Sequence, residues 1–452
     1  MNTDLPPVIV TILSPFLQMF SAPAWKKAKI LCVGGILCIG ARRITSILRV
    51  MGLNAERRFE QYHRFLNRDR WNPLLGAKIL LGLLIALIPS SWPNLFVLDE
   101  TVERRKGKKI KAKGCYRDAV RSTEKLVVKC FGLKWLSLCL LIPLPWSKRP
   151  WALPFLTFLQ YPKKYDEARH HKHRTTIDYA VMGVRLITRW LSKKAWTLLG
   201  DGGFASVELA EECKKRNGTL ISRLRLDARV YEFPSPPIPG KRGRKPIKGK
   251  RIPSFKSMLE DKDLQWTEAQ VNWYGGEKKT MQYVSGINLL YKTGRKPLPV
   301  RWVLLRDPQG KALSVPLFSS STEQSPEAII EQFVFRFSIE VTFEDLRAHL
   351  GVETQRQWSE KAIVRTTPLL MGLFSLICLI AHRLRDSFPF VVRSTAWYSK
   401  GPEEATFSDI IAYVRRYCWA NKYLVNSPKK DDMINLKLNV VESIVYQLAQ
   451  AP

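Results

Sequence analysis

Between residues 91 and 227, apolar runs of strand length are interleaved with helical periodicity, and this order restricts the chain to few folds. LFVL runs directly into Asp99; LVVKCF, WLSLCLLIPL and WALPFLTFL follow, each broken by Gly, Pro or a charged turn, and read as strands of one sheet. From about Asp166 to Lys194, Ile177, Ala180, Val181, Val184, Ile187 and Leu191 recur at helical spacing. AWTLLG is then a short buried strand ending at Asp201, followed by a GGF turn, a helix from Ser206 to Arg216 and the strand GTLISRLR. The order predicts an α/β fold, with helices covering a mixed sheet.

The flanking regions differ. Residues 1–90 read as a helical domain. In RRITSILRVMGL, Ile44, Ile47, Leu48 and Met51 form one apolar stripe; after a turn at Asn54 to Glu56, RRFEQYHRFLNR supplies a second helix. On it Arg57, Gln61, Arg64 and Arg68 share one side, while Phe59, Tyr62 and Leu66 face inward. Such a pair resembles a helix-turn-helix, whose Arg and Gln face suits a major groove. A solvated basic face fits the same residues, and the whole-chain charge favours DNA. Glu232 to Lys256, dense in Pro, Gly and basic residues, reads as a loop in which Lys241, Arg242 and Arg244 suit an A·T-rich minor groove or simply solvent. Residues 264–318 read as a β-rich insertion carrying Trp266, Trp273 and Trp302, with RDPQG as a hairpin turn. Ser325, Pro326 and Glu327 start a long helix to about Leu350. An apolar helix at Pro368 to Arg383 and one or two more helices in the last 45 residues complete the chain.

Charge narrows the function. The 452 residues hold 73 Lys and Arg against 39 Asp and Glu, a net charge of +34, with 46% hydrophobic residues. A folded core carrying that excess favours a polyanionic partner, nucleic acid first and an anionic membrane surface second. The longest uncharged apolar runs, Ile30 to Ala41, Ile79 to Pro89 and Pro368 to Ala381, have 12, 11 and 14 residues, against the roughly 20 a spanning helix needs. No membrane partner is therefore expected. The N-terminus has no basic n-region, so no secretory signal is expected. Eight cysteines form no CxxC pair, which predicts a reducing compartment without structural zinc. The expected location is cytoplasmic and nucleoid-associated. His170, His171 and His173 are expected to open a polar helix, where neighbours point apart and make a poor metal site.

Carboxylates are scarce, so those ending apolar strands stand out. Asp99 ends LFVL and Asp201 ends AWTLLG, positions where an uncompensated acid is costly unless it binds a metal. Hard oxygen ligands select Mg²⁺ or Mn²⁺. On the Ser325 helix Arg336, Glu340 and Arg347 share one face, so Glu340 is a candidate third acid, with Glu344 one turn further on as its rival, and the two arginines are candidate phosphate clamps. Three such acids suit two metal ions about 3.5–4 Å apart, the arrangement for in-line displacement at a phosphodiester.

The spacing Phe333-x2-Arg336-x3-Glu340-x6-Arg347 is similar to the Y-x2-R-x3-E-x6-K signature of bacterial insertion-sequence DDE transposases, with Phe for Tyr and Arg for Lys. VLDETVERRKGKKI around Asp99, LLGDGGFAS around Asp201 and RAHLGVETQRQWS after Glu340 resemble one subgroup more closely. The resemblance implies an RNase H-like core (91–227 and 321–384) interrupted by the insertion at 228–320, between the N-terminal DNA-binding domain and a helical region at 385–452. It assigns Asp99, Asp201 and Glu340 as catalytic metal ligands. In related transposases a tryptophan of the insertion can stack on a flipped base, which makes Trp266, Trp273 and Trp302 candidates. The implied activity is Mg²⁺-dependent cleavage and strand transfer at terminal inverted repeats, joining them to target DNA, with two metal ions per site and a dimer in the paired-end complex. The alternative is a domesticated DNA-binding protein without activity.

Overall fold

A computed structural model of the chain describes residues 5–118, 121–123, 126–191, 194–236, 245–310, 314–393, 397 and 400–423. It divides into two compact units: unit one is Met1–Ile88, Glu100–His173 and Glu340–Pro452, and unit two is Pro89–Asp99 and Arg174–Ile339. In chain order the described strands are β1 (Leu95–Arg104), β2 (Gly114–Arg117), β3 (Lys129–Ile142), β4 (Trp151–Gln160), β5 (Trp196–Leu199), β6 (Gly218–Arg223), β7 (Val230–Tyr231), β8 (Thr267–Asn272), β9 (Lys278–Leu290), β10 (Leu298–Arg306) and β11 (Val315–Ser319).

Unit two holds the first half of β1 and seven further strands. Its order is β1-β5-β6-β11-β10-β9-β7, with β8 on the other partner edge of β9. The first three strands are parallel and the rest antiparallel, the expected mixed α/β sheet. Leu95 to Leu98 and Trp196 to Leu199 are buried along their whole length, as a parallel strand covered on both faces demands. The strands expected as a β-rich insertion are there, and they extend the same sheet, because β11 pairs with β6. Helices Thr176–Trp190 and Val207–Lys214 pack together, and Pro326–Phe335 packs on β6, β10 and β11. Ser325 caps the last of these through Oγ, which accepts the Ala328 N–H at 3.2 Å.

The helix from Ser325 does not run unbroken to Leu350. It stops at Phe335 and resumes as Ser338–Leu350. At the break Arg336, Phe337 and Ile339 make i→i+3 bonds to Phe333, Val334 and Arg336, a local tightening. The reason is tertiary: Phe337 packs edge-on against Tyr274, ring centroids 4.7 Å apart, and Arg336 is buried beside it. The expected Asp166 to Lys194 helix is also interrupted. A short helix, Lys163–Glu167, ends before His170, whose φ is +55°, and a second, Thr176–Trp190, begins with a Thr175/Asp178 capping box. The histidines therefore lie between two helices, where His173 Nδ1 meets the Asp166 carboxylate at 2.8 Å.

Unit one contains the second half of β1 with β3, and β2 and β4 antiparallel to β3. KCF and WLSLCLLI, read as separate runs, form one strand of 14 residues. Gly132 does not break it. A Cβ there would lie 2.5 Å from the Glu103 carbonyl oxygen, so glycine is what allows the close approach to β1. Pro154 is accommodated in β4 by a register shift opposite Leu138/Cys139. Helix Glu360–Leu384 packs on β4 and is ringed by Pro7–Leu13, Glu60–Asn67, Pro73–Ile85 and Phe407–Tyr423. It is 25 residues long, not the 14 of its uncharged run, so by length and composition it could cross a membrane. Within the protein, 72% of its most apolar window is buried.

Candidate active site

In unit two, β1 and β5 are parallel with Leu95 opposite Thr197, Phe96 opposite Leu198 and Val97 opposite Leu199. The pairing ends at Val97 and Leu199, two residues before Asp99 and Asp201 respectively. Asp201 follows the carboxyl end of β5, whereas Asp99 lies inside β1, which runs on to Arg104 rather than ending with the apolar run as the sequence suggests. Gly200 makes the turn possible, because a Cβ there would lie 2.8 Å from that of Phe204. Asp201 caps the Gly202–Phe204 turn: its Oδ1 accepts the Gly203 N–H at 2.9 Å, and its carbonyl oxygen accepts the Ser222 hydroxyl at 2.6 Å.

Asp99 keeps 18% of its side chain exposed, and its carboxylate lies 3.7 Å from Arg336 Nη1. Arg336 is itself buried, with its guanidinium carbon 4.2 Å from the Phe337 ring centroid and 5.5 Å from that of Phe333. The aromatic pair confines the cation beside the Asp99 carboxylate. Other acids of unit two serve packing. Glu208 pairs with Lys292, Glu211 with Arg295, and Glu212 with Arg185 and Arg216. Glu212 is held below the usual carboxylate range although its burial opposes this, because two guanidinium groups bond it.

Glu340 is exposed in the first turn of Ser338–Leu350 and opens a segment of unit one. Among the described residues no group of three or more His, Cys, Asp or Glu side chains is arranged to hold a metal ion. By chemistry alone the carboxylates of Asp99 and Asp201 are the hard oxygen donors that a divalent cation takes.

Arg347 is more engaged than an open phosphate clamp. Its Nε donates to Glu353 Oε1 at 3.1 Å, and Nη2 bonds the Thr101 hydroxyl. Glu353 also accepts from Arg104 Nη1 at 3.2 Å. Sequence reasoning overlooked this carboxylate and also Glu103, which is 1% exposed and bound by Arg105 at 2.6 Å, Trp135 Nε1 at 2.9 Å and Thr367 at 2.6 Å. A signal existed: in VERRK, Glu103 and Arg105 are two apart on a strand and share a face.

In the N-terminal region, helices Ile44–Val50 and Glu60–Asn67 pack through Ile44, Leu48, Tyr62, Phe65 and Leu66. Arg64 and Arg68 are exposed and Gln61 half-buried; Arg57 is exposed but precedes the helix. Phe59, expected to face inward, is 46% exposed, and Phe65 takes the buried position. Arg365 fastens the end of this helix by donating to the carbonyls of Leu66, Asp69 and Trp71. Lys241, Arg242 and Arg244 lie outside the described residues. Trp302 is buried and donates to Asn288 Oδ1 at 2.8 Å, Trp266 stacks under Arg306 at 3.8 Å, and Lys279 lies 5.5 Å from the Trp273 ring.

No curated protein matches the chain. It is similar to the piggyBac transposase in a cryo-EM structure of a synaptic complex with hairpin DNA, at 11% identity and a TM-score of 0.41, covering 98% of this chain and 80% of that one. A family model described as DDE superfamily endonuclease matches residues 15–280, more than half of the chain and including both Asp99 and Asp201. The chain belongs to the DDE superfamily of endonucleases.

Proposed function

We propose that the chain is the transposase of a bacterial insertion sequence, cutting DNA at the element's terminal inverted repeats and joining the ends to target DNA. The observation that carries this reading is the parallel pairing of β1 and β5, which stops two residues before Asp99 and Asp201, in a DDE superfamily endonuclease. Asp99, Asp201 and Glu340 would hold Mg²⁺ or Mn²⁺, two ions per site, supplying activation of the attacking oxygen and neutralisation of charge on the leaving oxygen. Arg336 orients the Asp99 carboxylate. Phe333, Arg336, Glu340 and Arg347 are the residues of the Y-R-E-K signature; in this reading Arg347 ties together the Thr101 hydroxyl and the Glu353 carboxylate.

End recognition is assigned to Gln61, Arg64 and Arg68 with Arg57, and to Lys241, Arg242 and Arg244, in a paired-end dimer. The high positive charge supplies the electrostatic part of that binding. The test is cleavage of a duplex carrying the inverted repeat, in Mg²⁺, by Asp201→Asn and Glu340→Gln beside the wild type. Each variant is expected to bind the ends as tightly as wild type and to leave the strands intact. Cutting at the wild-type rate by either variant removes that residue from the site.

A further inference from the structure

The two sequence segments on either side of the acids that the proposed chemistry leaves unused, VERRKGKKI and GVETQRQW, meet within unit one and form a basic groove. Its cavity is about 700 Å³ and is lined by Lys106, Lys108, Lys109, Arg43, Arg356 and Trp358. One wall is a four-residue loop pinned at both ends. Arg105 before it is 7% exposed and bound to Glu103, and Ile110 after it is 5% exposed in a cluster with Leu133, Trp135 and Leu159. Between these anchors Lys106, Gly107, Lys108 and Lys109 are all exposed. The opposite wall is held as firmly. Glu353 has a φ of +80°, a conformation that is costly for a residue with a side chain, and is gripped by Arg104 and Arg347. Arg105 further bonds the Gln357 carbonyl, leaving Trp358 58% exposed at the rim with Lys109 Nζ 5.2 Å from its ring centroid.

We infer that this groove binds single-stranded DNA, its phosphates against Lys106, Lys108, Lys109 and Arg356 and one unpaired base stacked on Trp358. Fixed cations beside an exposed aromatic face are the combination that holds an unpaired strand without reading its sequence. A duplex keeps its base faces stacked, so it would satisfy the lysines and not the tryptophan. The strain at Glu353 and the anchors of the lysine loop are then the cost of presenting both features ready-made. The choice of DNA over other polyanions rests on the endonuclease reading above.

The test uses the full-length protein and a fluorescent single-stranded oligonucleotide carrying 2-aminopurine, read by anisotropy and by quenching across a salt titration. The Lys106→Ala, Lys108→Ala, Lys109→Ala triple variant is expected to bind about tenfold more weakly, with a log–log salt slope shallower by about two. Trp358→Ala is expected to lose the quenching and about tenfold in affinity with its slope unchanged, and Trp358→Phe to keep most of both. An unchanged slope in the triple variant, or full quenching with Trp358→Ala, overturns the inference. So does equal loss of duplex and single-strand binding in Trp358→Ala, or poly-glutamate displacing the strand at matched charge. The two readings fail separately: wild type that cuts ends while the groove variants bind normally refutes the groove, and groove-dependent binding by a protein that never cuts in Mg²⁺ refutes the chemistry.

Discussion

Asp99 and Glu103 are four residues apart on β1, and the chain treats them oppositely. Glu103 has no exposed side-chain surface and is enclosed by a guanidinium, an indole N–H and a hydroxyl. Asp99 keeps 18% of its side chain in solvent and pairs with Arg336 at 3.7 Å. Close bonding on all sides fixes a carboxylate as a structural element, whereas partial exposure keeps one in reach of solvent, from which a cation would come. Scarcity of acids and position on an apolar strand are common to both, so those features alone do not separate catalysis from architecture.

That contrast can be broken by paired substitutions. Asp99→Asn should lower end cleavage by at least about a thousandfold, about 4 kcal/mol of barrier, while urea unfolding shifts by less than about 2 kcal/mol. Glu103→Ala should reverse the pattern. It leaves Arg105, which is 7% exposed, without its buried partner and should cost about 3–5 kcal/mol of stability by denaturant titration. If Glu103→Ala unfolds like wild type, the buried network is not structural. If Asp99→Asn unfolds as badly as Glu103→Ala, the two carboxylates are not different in kind.

A third acid sharpens the comparison through pH. Burial pushes the Asp345 carboxyl up to about 7; Arg149 opposes this, Glu344 adds to it, and His349, itself held low by burial, lies 3.9 Å away. The unfolded chain ionises Asp345 near pH 4 and the folded one near 7, so between those values the folded state holds the extra proton. Stability should therefore fall as pH rises through that window, by at most about 1.4 kcal/mol per unit from this group, and level off above it. Asp345→Asn should flatten that decline in urea titrations at pH 5, 6 and 7; an unaltered decline would show that Asp345 ionises normally. The smallest effect expected is from Ser325→Ala, which removes the cap on Pro326–Phe335 and should cost about 1 kcal/mol in thermal unfolding. No change there would mean that packing alone fixes the helix start.

Much of the sheet could be read ahead of the structure because buried parallel strands leave continuous apolar runs. LFVL and WTLL are legible for that reason, with Asp99 and Asp201 one and two residues beyond them, and Ser325-Pro-Glu marks a helix start by local chemistry. Features set by distant contacts were not legible. The break at Arg336 depends on Tyr274 and Asp99, 62 and 237 residues earlier in the chain. Gly132 resembles a strand breaker until the Glu103 carbonyl is seen against it, and the joining of β11 to β6 has no local sign. The candidate acids were found from strand ends and spacing, but Glu103 and Glu353 were missed because their partners come from remote segments such as Thr367 and Arg104.

The most direct measurement is metal-directed backbone cleavage, with Fe²⁺ in place of Mg²⁺ and ascorbate added to the full-length protein. Hydroxyl radicals cut within a few bonds of the bound ion, so fragments ending close to residues 99, 201 and 340 are expected, all suppressed together by excess Mg²⁺. Cuts near 99 and 201 without 340 would leave Glu340 outside the site. Cuts elsewhere that Mg²⁺ suppresses would contradict the assignment of the metal to these acids.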